Sequence, residues 1–312
     1  MNKTQIEVFI NNNPKCIASI ESTAKNEMFE IENTPYIEVK AQNINNGVKS
    51  IVVESYRKKL HDSEIEVTDN KFEIKVYKDN PFESVDEVTI HIDDQRYDIE
   101  LNLNKISGRV MYFDGRPVEN PILNITGKDI AVVGDSQGNY EISICGKEKQ
   151  IGVFDKNYSK ETLEAWLYNV DIENDIELDV QIDKMELYGI NMWPGEMSDY
   201  VHFIPMSLSR YQEAAKRGFG SELDLLKYDG VWPKLSREDV KVSVNGENIK
   251  FHSFQEVPDF LVEVDDTIYS RPSYVISIPK GYSDSIIKLE IENRFNTENG
   301  EILEKGEGYY FW

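Results

Sequence analysis

Apolar and polar residues alternate in short bursts along most of this chain, and that alternation restricts the fold more than any other feature. "YIEVKAQ", "KSIVVESY", "KFEIKVY", "EVTIHID" and "YDIELNL" all run with period two, which puts the apolar side chains on one face of an extended strand. Turn-formers such as "NNNP", "NINNG" and "KDNP" separate them. Such runs at spacings of roughly 8–12 residues are the signature of an all-β sandwich. Residues 1–104 carry this pattern with no helical period of useful length, so an immunoglobulin-like β-sandwich is expected there. Within it, "HIDDQRYDI" predicts a tight hairpin with Asp93 to Arg96 at the bend.

Residues 105–182 continue in the same style, with about seven short strands expected. "KISGRVMYF" is followed by "DGRPV", where Asp114-Gly115 suits a turn and Pro117 ends any ladder. "GDSQGN" reads as a second turn, in which Gly134 and Gly138 are expected to supply positive φ and Asp135 to hold backbone amides. Gly108 and Val110, Asp114-Gly115-x-Pro117-Val118, and Asp135-x-x-Gly138-x-Tyr140 together form a pattern. It resembles the carboxypeptidase regulatory-like domain, a transthyretin-like seven-stranded sandwich. The resemblance covers about a quarter of the chain and rests on structural turns. It implies an accessory module that packs beside catalytic domains or is strung along surface and secreted proteins, with no catalytic residues to carry over. Trp166 and Tyr168 add bulk that departs from the pattern.

Residues 183–312 are expected to form a third β-sandwich with a helical insertion at about 207–229. In "SLSRYQEAAKRG" the period changes: Leu208, Tyr211 and Ala215 share a helical face, Ser207 or Ser209 can cap it, and Gly218 can end it. "GSELDLLKYDG" predicts a second short helix. Strands resume at "DVKVSVNGENIKF", whose Asn245-Gly246 is a strong two-residue hairpin signal. The junctions lack Gly/Ser- or Pro-rich linkers, so three tandem sandwiches with limited flexing are expected.

The formal charge of −23 narrows the partners. It is spread as −8, −6 and −9 over the three segments, with no acidic tail. Repulsion from phosphate argues against nucleic acid and anionic membrane surfaces. No run approaches the roughly 18 apolar residues of a membrane span, and "MNKTQIEVFINNNPKC" lacks the apolar core of a signal peptide. A cell surface, secreted particle or virion is favoured slightly over the cytoplasm. Cys16 and Cys145 fall in different segments and are expected as two separate thiols.

No nucleophile elbow, Walker loop or H-E-x-x-H occurs, and there are only four histidines. His202 and His252 share the third segment and are expected to be ordinary strand histidines. No cofactor is called for. Calcium stays open because loop oxygens can converge, although no EF-hand spacing occurs. The richest stretch is "INMWPGEMSDYVHFIP", with Trp193, Tyr200 and His202, followed by "DGVWPKL" with Trp232. Trp beside Pro suits sugar stacking or a protein hot spot; the plainer expectation is that both tryptophans clamp the insertion onto the sandwich. Tyr309, Tyr310, Phe311 and Trp312 are too apolar for a free tail and are expected to dock or form an assembly contact.

These observations point first to a non-enzymatic, multi-domain β protein with a structural, adhesion or assembly role, its partner a protein or a glycan and its oligomeric state open. A carbohydrate-binding accessory protein using Trp193, Tyr200 and Trp232 is the alternative. The third reading is a hydrolase with a carboxylate site drawn from Glu196, Asp199, Glu213 and Asp224.

Overall fold

Alternation buries one face of each strand, and the way those faces meet sets the architecture. The computed structural model describes residues 3–10, 18–22, 27–31, 36–55, 58–77, 87–101, 103–126, 130–145, 147–219, 221, 224–225, 228–297 and 300–312. The chain is mostly β, built as packed antiparallel sheets around three hydrophobic cores.

The first stretch holds nine strands: β1 (Gln5–Ile10), β2 (Ala18–Ser22), β3 (Glu27–Ile31), β4 (Tyr36–Gln42), β5 (Gly47–Ser55), β6 (Lys58–Val67), β7 (Lys71–Tyr77), β8 (Glu87–Ile92) and β9 (Gln95–Glu100). Sheets β1-β4-β7 and β6-β5-β8-β9 face each other, with β2–β3 as a separate hairpin. This strand order is that of an immunoglobulin-like Greek key. Ile37, Val39, Ile51, Val53, Val88 and Ile90 close the core between the sheets. The expected hairpin is present, but its turn is only Asp93-Asp94, with Asp93 at φ 51°; Gln95 and Arg96 already pair with Ile92 and His91. Strand β3 has no counterpart in the sequence reading, and Cys16 lies outside the described residues.

Next come β10 (Leu103–Tyr112), β11 (Ile122–Ile125), β12 (Ile130–Val133), β13 (Asn139–Cys145), β14 (Glu148–Phe154), β15 (Ala165–Val170), β16 (Ile176–Glu177) and β17 (Val180–Ile182). The turn residues act as their chemistry dictates. Asp135 Oδ1 accepts from the amides of Gln137 and Asn139, and Gly138 sits at φ 84°. Gly108 is needed for space: a Cβ there would lie 2.2 Å from the Leu178 carbonyl oxygen. Gly134 differs from expectation. It is not a positive-φ residue; its missing side chain instead admits the Pro121 ring and the Asn139 carbonyl, which a Cβ would meet at 2.7 and 2.5 Å.

The last stretch holds β18 (Met185–Pro194), β19 (Ser198–Ser207), α1 (Leu208–Lys216), β20 (Val240–Val244), β21 (Glu247–Ile249), β22 (Ser253–Val264), β23 (Thr267–Pro279), β24 (Ile286–Thr297) and β25 (Gly300–Phe311). The Asn245-Gly246 hairpin forms with both residues at positive φ, 49° and 84°. Asp265 and Asp266 make the β22–β23 turn at φ 49° and 62°. Ser207 caps α1 by accepting from the Arg210 amide, and Gly218 follows its end at φ 90°. The buried face of α1 is Leu208, Ser209 and Ala214, whereas Tyr211 is 41% exposed. The cause is polar anchoring of the first turn: buried Glu304 accepts from Ser207 Oγ and the Ser209 amide, and Arg210 lies over the Phe295 ring. The expected second helix, at 220–230, falls partly outside the described residues.

The expected boundary at 182–183 lies between β17 and β18, but the sheets run across it. Strand β25 pairs in parallel with β15, giving one eight-stranded sheet, β12-β11-β14-β15-β25-β24-β20-β21. One half of that sheet closes a core against β10, β13, β16 and β17; the other half closes a core on its opposite face against sheet β18-β19-β23-β22. Alternation along β25 serves both, since Tyr309 and Phe311 enter the first and Tyr310 the second.

Candidate ligand-binding face

The β18–β19 hairpin lays an aromatic pair on the outer face of its sheet. Trp193 is directly opposite Tyr200, and the rings stack at 5.7 Å with an interplanar angle of 18°. Their neighbours along each strand, Met192 and Val201, point into the core, so alternation fixes both rings outward. Trp193 keeps 39% of its surface. The turn beneath explains the sequence "WPGE". A Cβ on Gly195 would meet Tyr200 Cε2 at 2.5 Å, so glycine there lets the tyrosine ring lie against the turn.

Polar groups flank the pair across the sheet. A β-bulge between Tyr188 and Asn191 holds Gly189 at φ 56°. The Gly189 carbonyl lies 3.2 Å from His202 Nδ1, so in the tautomer this contact selects, Nδ1 donates and Nε2 is left as an acceptor. Asn191 is opposite His202, and the same row continues through Val275 to exposed Gln255. The adjacent row runs Trp193, Tyr200, Ser277 and Ser253, the two serine hydroxyls meeting at 2.7 Å. Four strands at about 4.8 Å spacing make this a platform roughly 15–20 Å across.

The other expected residues sit elsewhere. Trp232 follows the 3-10 turn Asp229–Val231, which packs against α1 at the far end of β19. Tyr200 and Ser207 are separated along that strand by roughly 23 Å, so Trp232 does not join the Trp193 face. His252 is two strands from His202 and three residues along from its row, roughly 14 Å by sheet geometry. Tyr309, Tyr310 and Phe311 lie in the interior, and Trp312 is half-buried. Glu196 is exposed in the β18–β19 turn, Asp199 is 5% exposed on β19, Glu213 pairs with Arg217, and Asp224 accepts a hydrogen bond from the Ser221 hydroxyl. These acids do not converge.

Two acids that do converge escaped the sequence reading. Glu164 and Glu186 are 9% and 3% exposed, and the Glu164 amide reaches the Glu186 carboxylate at 3.4 Å. Burial raises Glu164 well above the ordinary carboxylate range, helped by the neighbouring Glu186 charge. Burial likewise pushes Glu186 up to about 7. The Tyr158 hydroxyl donates to Glu164 and that of Tyr188 to Glu186, and Trp166 packs over Tyr188. The available signal was an acid inside an apolar run, as in "KMELYG" and "TLEAWL". Among the described residues no group of three or more His, Cys, Asp or Glu is placed to hold a metal ion, and no helix is long and apolar enough to cross a membrane.

No family model and no curated protein matches the sequence. Among solved structures, the chain is similar to a candidate carbohydrate-binding protein from Bacteroides uniformis, at 9% identity and a TM-score of 0.22, over 67% of this chain and 99% of that one. DUF3823 family proteins from Bacteroides ovatus and Parabacteroides merdae match at 11% and 9% identity with TM-scores of 0.20 and 0.19. They cover 67% and 68% of this chain and 98% and 100% of their own.

Proposed function

We propose that this chain is a non-catalytic binding protein whose β18-β19-β23-β22 sheet presents Trp193 and Tyr200 to a neutral glycan. The observation that carries this reading is the near-parallel stack of the two rings on an open sheet face, with Trp193 still 39% exposed. A pyranose has a flat C–H face that an indole can cover, and its hydroxyls need donors and acceptors at the rim. Asn191, His202 and Gln255 supply them one row away. The formal charge of −23 repels anionic polymers, which favours uncharged sugars. Residues 105–182, with their regulatory-like turns, serve in this reading as a supporting module that carries the binding sheet. The sealing of Glu164 and Glu186 from solvent supports binding over hydrolysis.

The test is glycan-array screening followed by calorimetry on the best neutral ligand. Trp193→Ala is expected to weaken binding by at least about 30-fold, the effect of losing a hot-spot side chain worth roughly 2 kcal/mol, with the melting temperature little changed. Wild-type protein that binds no neutral glycan, or a Trp193→Ala variant that binds as tightly, overturns the reading.

A structural or assembly role has one observation in its favour. The β22–β23 hairpin runs on past the last pair with β19, and no residue from 257 to 272 is buried. Phe260 and Ile268 on this arm are 62% and 67% exposed. Replacing both with serine is expected to leave glycan binding intact and to abolish any self-association seen by sedimentation.

A further inference from the structure

The parallel pairing of β15 with β25 ends at Tyr168 and Tyr310, and past that point the two strands part. Asn169 bridges the gap by donating from Nδ2 to the Phe311 carbonyl at 2.6 Å. The opening is a cavity of about 440 Å³ at the seam of the two sandwiches. That is within the roughly 300–1,000 Å³ of small-ligand sites, which favour such junctions. Trp312 forms one wall. Its backbone pairs both ways with Ser285, and Tyr310 lies 6.2 Å from its ring, so the half-buried indole is fixed in place.

Opposite it, the loop after β15 brings Asp171, Glu173 and Asn174, and the segment before β24 brings Asp284. Asn245 fixes that segment, accepting from the Ile286 amide at 2.8 Å and donating to Ser285 Oγ at 3.1 Å. Glu173, Asn174 and Asp284 have no hydrogen bond or ion pair among the described residues, so their heads remain available to a ligand. The cavity thus joins one aromatic wall to a rim of carboxylates and carboxamides that also holds Lys147, 4.0 Å from the Asp171 carboxylate. Carboxylates accept from two hydroxyls at once, and carboxamides both donate and accept, which matches the vicinal diols of a sugar.

We propose that this seam cavity is a second binding site, separate from the Trp193 face, which takes a single neutral sugar residue with its ring against Trp312. Asp171, Glu173 and Asp284 outweigh the single Lys147 on the rim, which disfavours uronates. The site differs from the outer face in shape: a concave cavity holds one ring, whereas a flat platform of about 15–20 Å needs an extended chain to gain comparable contact. It stands on its own geometry and does not depend on the reading of the outer face.

The experiment is saturation-transfer NMR and tryptophan fluorescence on the full chain, with glucose, galactose, mannose, N-acetylglucosamine and glucuronate as probes. At least one neutral monosaccharide is expected to bind, glucuronate at least tenfold more weakly. Trp312→Ala is expected to abolish the signal, and Asn174→Ala with Asp284→Ala to weaken it about tenfold. The last two change exposed loop residues outside the cores, so they report on the site even where Trp312→Ala disturbs packing. Phe260→Ser, on the exposed β22–β23 arm, is expected to leave monosaccharide binding unchanged. Absence of binding by every neutral probe, equal binding of glucuronate, or loss of the signal in Trp193→Ala with retention in Asn174→Ala/Asp284→Ala overturns the proposal.

Discussion

Gly306→Ala is expected to destabilise the C-terminal half of the chain by about 3 kcal/mol or more, the upper range for overpacking a tight core. A Cβ at residue 306 would lie 2.3 Å from the Met185 carbonyl oxygen and 2.6 Å from its carbon. Both are backbone atoms at the start of β18, so relief requires moving a strand and not a rotamer. The glycine is not held at positive φ, so the cost is one of space. Strand β18 crosses β25 at this point, and β25 lines both cores, so a shift here disturbs each of them. Gly308 provides the control. A Cβ there would meet Ile190 Cδ1 at 2.5 Å, the end of a flexible side chain that can turn away. Gly308→Ala is therefore expected to cost only about 1 kcal/mol, partly offset by the lower chain entropy of alanine. For a cooperative unit of about 200 residues, Gly306→Ala corresponds to a loss of roughly 6–12 °C in melting temperature. Calorimetry on the two variants checks this, and equal losses would show that the β18 crossing is not the tight point.

That crossing also marks where the sequence stops being readable. Strands that border a strong turn were recoverable, because the signal is local. Asn245-Gly246 must adopt positive φ at both positions, and Asp135 needs only the amides two and four residues ahead. Helix α1 was recoverable from its period and its Ser207 cap, but its buried face was not, because Glu304, almost a hundred residues away, anchors the first turn. Partner choice between strands is equally non-local. Residues 309 and 167 pair across 142 positions, and nothing in "GEGYYFW" names "AWLYNV" as its neighbour. What the C-terminal run did carry was its two-sided apolar pattern, the composition of a strand buried on both faces.

The candidate face shows the same division. The outward pointing of Trp193 and Tyr200 follows from alternation alone, whereas their direct opposition depends on the register that the Pro194-Gly195 turn imposes. Trp232 shares the Trp-Pro dipeptide with Trp193, but proximity in composition is not proximity in space: a whole strand length separates them. The acids behave likewise. So many carboxylates in one chain make any pair unremarkable in sequence, and only folding singles out two that lose their water together.

Those two acids set the second large effect. Glu186→Gln is expected to stabilise the protein at pH 8 by roughly 2–3 kcal/mol and to change little at pH 5. Burial pushes Glu186 up to about 7 from an ordinary value of 4.5. A group whose pKa rises on folding contributes stability that is complete below its unfolded pKa and lost as pH climbs through its folded pKa. The loss therefore develops between about pH 4.5 and 7 and persists above it, and a rise from 4.5 to about 7 corresponds to roughly 3 kcal/mol. Glu164, raised by its own burial and then by Glu186, extends the decline to higher pH. The groups around the pair are Tyr158, Tyr168 and Tyr188, whose hydroxyls are raised by burial themselves and offer hydrogen bonds without positive charge. Glutamine keeps the shape and the hydrogen bond from Tyr188 but cannot ionise, so it removes the penalty at high pH and nothing at low pH. Melting temperature measured from pH 4.5 to 8.5 should fall in the wild type, fall less in Glu186→Gln, and fall least in Glu164→Gln/Glu186→Gln, where the other acids raised by burial, Glu304, Glu307 and Asp183, still contribute. A Glu186→Gln variant less stable than wild type by the same margin at every pH would mean that the carboxylate is satisfied as an anion and that the pair holds the two sandwiches together in its charged form.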